Sequence, residues 1–209
     1  MNEKAGDSDG VKSVDESADE GKNFLLVIGG TFFLGLLAVG LASLFNISLE
    51  DHFSWRWDDM AIGVLATIPL AAFLYWFVKT SNLRIVSFRE SQIEFFAGIG
   101  FSFTLPRIVL MAFGAGIFEE LLFRGVFQTG VERFVPVLLA IIITNILFGM
   151  LHWRTLLYAV IAGIVGAYLG VIFWLTGNLL APMVTHTVYD LVALWYTREA
   201  VAAYRERQV

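Results

Sequence analysis

Residues 24–45 form an apolar run without a single charged side chain. As a helix rising ~1.5 Å per residue, the run is long enough to cross the ~30 Å of a bilayer's hydrocarbon core. Comparable runs follow at residues 60–78, 101–127, 136–152, 156–175 and 179–196. The pattern predicts an all-α, polytopic membrane helix bundle of about six transmembrane helices. Composition agrees, with 57% hydrophobic residues and no cysteine. The missing cysteines remove disulfides, thiolate metal sites and a cysteine nucleophile together.

The polar residues divide the chain further. Residues 1–22 concentrate Glu and Asp among Ser and Gly and are expected to form a disordered acidic tail. Residues 23–96 are expected to hold two transmembrane helices and, over 79–94, an amphipathic interfacial segment with Arg84, Arg89 and Glu90 among apolar residues. Residues 97–197 form the expected core, and 198–209 a cytoplasmic tail. Trp55 and Trp57 suit a headgroup interface between the first two spans. Lys and Arg gather on the side of the two termini, which predicts a multi-pass cell-membrane protein with both termini cytoplasmic. Two small-residue faces, Gly29, Gly30 and Gly35 in the first span and Ala162, Gly166 and Gly170 in the fifth, are expected to allow close helix contact.

Against this apolar background two adjacent carboxylates, Glu119 and Glu120, are costly, and the membrane retains such groups where they serve a purpose. At about 100° per residue, Glu120 and Arg124 share a helix face and can neutralise one another, while Glu119 points away from both. Glu120 and Arg124 are therefore expected to support structure, and Glu119 to be free as a general base. Of three histidines, His52 lies in a loop. His152 shares a stripe with Asn145 and Phe148, and His186 is one turn before Asp190. Glu119 and His152 stand at similar distances from the turn near residues 130–136, which lets them face each other. His186 follows its loop so closely that its depth is harder to match without a break at Pro182 or a tilted helix.

The ordered set Glu119-Glu120-x-x-x-Arg124, Phe148-x-x-x-His152 and His186-x-x-x-Asp190 resembles the three motifs of the CPBP intramembrane proteases. This is the CAAX-protease, bacteriocin-processing and abortive-infection-like family, which includes the CAAX prenyl endoproteases. Phe123 to Gly125 and Gly177 to Leu179 fit as well; the third motif often ends in Asn where this chain has Asp190. The resemblance implies an intramembrane endopeptidase acting on peptide or membrane-protein substrates within the lipid bilayer. Glu119 with His152 would activate a water, His186 and Asp190 would polarise the substrate carbonyl, and Glu120, Arg124, Asn145 and Phe148 would support them. The family is often labelled metalloprotease, and Glu119, His152 and His186 would be the ligands if a divalent metal such as zinc were used. The preferred reading is metal-free, since a glutamate-activated water needs no cofactor and the chain has no His-Glu-x-x-His helix. The alternatives are a non-catalytic immunity or binding protein of the same fold and a proton-coupled transporter. No phosphate loop or basic nucleic-acid patch is present.

Overall fold

The computed structural model describes residues 8–208, and side chains from Asp19 onward. Within them the chain is all-helical. Helix α1 (Ser8–Leu44) is followed by a single 3₁₀ turn (Glu50–His52), α2 (Trp57–Lys79) and α3 (Leu83–Ala97). Next comes a long rod built from α4 (Leu105–Gly114), two π-helical stretches (Ala115–Glu119 and Leu121–Gln128) and α5 (Thr129–Glu132). Helices α6 (Val137–Leu151), α7 (Leu156–Thr176) and α8 (Leu180–Glu206) complete the bundle. Three segments are long and apolar enough to cross a membrane, namely Asp19–Leu44, Trp57–Lys79 and Leu156–Thr176; Val137–Leu151 is a shorter apolar helix. The rod holds the buried charges Glu120 and Arg124, and α8 the buried His186. Large apolar side chains point outward all round, among them Leu36, Ile164 and Leu175. So apolar a surface is the surface of an integral membrane protein, whose solvent there is lipid.

Local sequence explains where the elements stop. Asn82 caps α3 by accepting a hydrogen bond from the Arg84 amide at 3.1 Å, and Thr155 caps α7 by accepting from Tyr158 N at 3.1 Å. Gly177 ends α7 in the left-handed conformation with φ 64°, which a residue without a Cβ adopts at no steric cost. Pro182 lies in the first turn of α8, where a missing N–H costs little, so α8 runs unbroken through His186. The break at Pro182 considered from sequence does not occur.

Helix α1 extends back to Ser8, into the segment read as a tail, while residues 1–7 lie outside the described residues. The lower part of α1 is tied down: Glu20 Oε2 accepts from Arg107 Nη1 at 2.8 Å and Ser102 Oγ at 2.9 Å. The α1 small-residue face is only partly used. A Cβ on Gly35 would strike the Phe118 ring, whereas Gly29 and Gly30 face open space among the described residues. The main core joins Ala38 and Ala42 of α1 to Leu122, Phe123 and Val126 of the rod and Phe148 of α6.

A second tie fixes the start of α8. Asn178 Oδ1 accepts from the amides of Ser54 and Leu180, both at 3.1 Å, and its Nδ2 donates to the buried Asp59 Oδ2 at 2.7 Å. The loop before α2 is thereby fastened to the α7–α8 turn, together with a backbone bond from Leu179 N to His52 O at 2.8 Å.

Candidate active site

Three elements bring the ionisable residues together: the π-helical part of the rod, the C-terminal end of α6 and the second turn of α8. Glu120 and Arg124 are fully buried. Glu120 Oε1 accepts from Arg124 Nη1 at 3.0 Å and from His186 Nδ1 at 2.8 Å. Arg124 Nη2 donates to Asn145 Oδ1 at 3.0 Å and to the Gly166 carbonyl of α7. The guanidinium also stands 5.4 Å from the centroid of the Phe148 ring, within cation–π range. A buried ion pair is costly to desolvate unless its donors and acceptors are used; this one is bonded to three other elements, though Glu120 Oε2 and Arg124 Nε have no partner among the described residues.

Gly166 makes that arrangement fit. A Cβ there would overlap Asn145 Oδ1 and come within 3.0 Å of the Phe148 ring. The fifth-span face of Ala162, Gly166 and Gly170 thus does more than let helices approach. Gly166 and Gly170 open two backbone carbonyls to polar side chains of the rod.

Glu119 is half-buried, and its carboxylate has no hydrogen-bond partner among the described residues. His152 sits just beyond the end of α6; its Nδ1 lies 2.8 Å from the Phe148 carbonyl, and its ring 4.3 Å from the Phe148 ring. With Nδ1–H donated to that carbonyl, Nε2 is the free ring nitrogen. His186 lies between two acids: beyond Glu120 on Nδ1, its Nε2 is 3.6 Å from Asp190 Oδ2. That separation is longer than a hydrogen bond and leaves Nε2 available. Glu119 and His152 are near enough for their charges to act at Asp190.

The sequence placed Glu120 with Arg124, and the two are paired. It did not anticipate that Glu120 also holds His186, because a bond from the rod to α8 spans 66 residues. Tyr158 was missed as well. Its ring stands 6.2 Å from that of His152, and it is near both Glu119 and Asp190. Tyr158 belongs to no motif and opens an apolar span, so no sequence signal marked it. The π-helical turns beneath the glutamates were equally unannounced; such turns are often found at functional sites.

The metal-ligand set considered from sequence is not assembled. Among the described residues, no three His, Asp or Glu side chains converge as ligands, and the label metalloprotease finds no support. The donors as placed do not fit a zinc ion.

Residues 101–192 match the family model described as Type II CAAX prenyl endopeptidase Rce1-like. That model is one of the CPBP family, to which residues 101–192 are thus similar. The matched segment contains Glu119, Glu120, Arg124, His152, His186 and Asp190, and leaves α1, α2 and α3 outside. Among curated proteins, the chain is similar to the uncharacterized protein YpbD of Bacillus subtilis (strain 168), with 26% identity over 145 residues. That match covers 65% of this chain and 65% of the length of YpbD. No solved structure matches.

Proposed function

We propose that this protein is a CPBP-type intramembrane endopeptidase that hydrolyses peptide bonds near the membrane through a glutamate-activated water. The observation that carries the reading is the partition of the carboxylates. Glu120 is bonded to Arg124 and His186, while Glu119 has no hydrogen-bond partner among the described residues.

In this mechanism a water lies between Glu119 and the free Nε2 of His152. As its oxygen attacks the carbonyl carbon, Glu119 takes its proton. The carbonyl π pair moves onto oxygen, and the resulting oxyanion is met by His186 Nε2–H, with Asp190 beside it. Glu120 fixes the His186 ring by accepting from Nδ1 and stabilises the charge the ring carries. The proton held by Glu119 then passes to the leaving amine nitrogen, the C–N bond breaks, and the carboxyl product is released. Every proton is returned, and no step is routed through a metal. The low dielectric around the site strengthens each of these contacts relative to water.

Substrates of this reading are peptides or membrane-protein segments presented at the bilayer, with both termini of the enzyme in the cytoplasm of a cell-membrane setting. The transporter reading is disfavoured by Arg124, since a fixed cation beside Glu120 opposes proton passage through the buried cluster.

The test is reconstitution of the purified chain into vesicles with a membrane-proximal peptide library. Cleavage that survives a chelator supports the proposal. Intact peptides together with a Glu119-dependent proton flux would establish the transporter instead. Chelator-sensitive cleavage restored by zinc would overturn the metal-free mechanism.

A further inference from the structure

The rod carries a ladder of polar side chains at helical spacing, Glu120, Arg124, Gln128 and Glu132. It continues well past the residues that the proposed chemistry uses. Gln128 is fully buried and donates through Nε2 to Glu132 Oε1 at 3.0 Å and to the Gly170 carbonyl at 3.2 Å. One turn earlier, Arg124 does the same to Gly166. Glu132, at the far end, is only half-buried. Opposite the ladder, Asn145 of α6 donates Nδ2 to the Ile141 carbonyl at 2.7 Å, with Thr144 fully buried next to it.

Four buried side-chain atoms on the rod and α6 have no hydrogen-bond partner among the described residues: Glu120 Oε2, Arg124 Nε, Gln128 Oε1 and Thr144 Oγ1. Three lie on the ladder and the fourth on the facing helix. They alternate in kind, with two acceptors, a charged donor and a hydroxyl able to do either. Stranding a single such group costs about 1–3 kcal/mol, and a membrane interior supplies no bulk water to relieve it. The ligand that satisfies scattered donors and acceptors of both kinds is water, which makes about three hydrogen bonds per buried molecule.

We propose that the seam between the rod, α6 and α7 binds a file of internal waters running from Glu120 to Gln128, where Glu132 meets the surface. A Cβ on Gly170 would come within 2.8 Å of Gln128 Oε1 and 3.3 Å of Asn145 Nδ2, so the bare glycine keeps the α7 backbone within reach of these polar side chains. The file hydrates the rear of the Glu120 carboxylate, the side away from Glu119. Arg124 stands within it as a fixed cation, so it holds water without carrying protons. The proposal does not rest on the protease reading, since the unpartnered atoms need hydration whatever the site does.

Radiolytic hydroxyl labelling of the intact protein in nanodiscs, with timed mixing into ¹⁸O water, tests it. Ile141 borders the seam at Gly170, and Ile108 is a buried control elsewhere in the rod. The expected result is several-fold faster labelling of Ile141 than of Ile108, with ¹⁶O retained after brief mixing, because bound waters exchange slowly. Thr144→Val, close to isosteric, should reduce labelling of Ile141, and Gln128→Leu should abolish it. Labelling of Ile141 no faster than of Ile108 would overturn the proposal. So would ¹⁸O incorporation at the bulk rate, which would mean an open channel. If Gln128→Leu fails to fold, the wild-type comparison and Thr144→Val decide alone.

Discussion

Glu120 Oε1 is bonded to Arg124 on one side and His186 on the other, whereas its neighbour Glu119 keeps partial exposure and has no hydrogen-bond partner among the described residues. The consequence for Arg124 can be measured. Arg124→Met removes the guanidinium from Glu120, Asn145 and the Gly166 carbonyl, and leaves the buried carboxylate with His186 alone. We expect a loss of about 3–5 kcal/mol in stability, read by denaturation in detergent. Arg124→Lys should recover little, because a single ammonium cannot reproduce the forked set of bonds. A stable Arg124→Met protein would mean that the ion pair is dispensable. At this scale the sequence was informative about identity and weak about partnership. Helical phase paired Glu120 with Arg124 and set Glu119 apart, since both inferences need only one helix. The bond to His186 and the proximity of Tyr158 depend on how separate helices meet, which no local spacing encodes.

Among the elements, α7 acts as a wall whose glycines open carbonyls to the rod. Gly166→Ala would push a methyl into Asn145 Oδ1 and the Phe148 ring. We expect a cost of about 1–3 kcal/mol and displaced Arg124 bonds. Gly40→Ala in α1, where a Cβ meets nothing within 4 Å, should be neutral or slightly stabilising, because Ala is the better helix former by about 1 kcal/mol. Equal thermal shifts for the two variants would contradict this account of α7. The element order was readable in advance because long uncharged runs can do little else in a membrane. The π-helical turns of Leu121–Gln128 were not, since one extra residue per turn leaves no mark on an already apolar pattern. The Asn178 tie to Ser54 and Asp59 was also hidden, because it joins a loop to a turn 124 residues away.

Over the whole molecule, α1 is held to the rod and to the segment just before it at both ends of its membrane-facing length. Ala38 and Ala42 pack on the rod, and Glu20 binds Arg107 and Ser102. Arg107 also lies 5.2 Å from the Phe24 ring. Arg107→Gln should therefore loosen the lower part of α1 without disturbing the site. Hydrogen exchange should quicken in residues 19–27 and stay unchanged in residues 119–126. Unchanged protection in residues 19–27 would show that the Glu20–Arg107 contact contributes nothing to docking.

The division of labour between the two adjacent glutamates is the central claim, and a paired measurement of cleavage rate and stability tests it most directly. Glu119→Gln should melt like the wild type yet cleave about 10²–10⁴-fold more slowly, the usual contribution of a general base. Glu120→Gln should lose stability, because Arg124 is left buried without its counter-charge. A Glu119→Gln protein that cleaves at the wild-type rate would contradict the account.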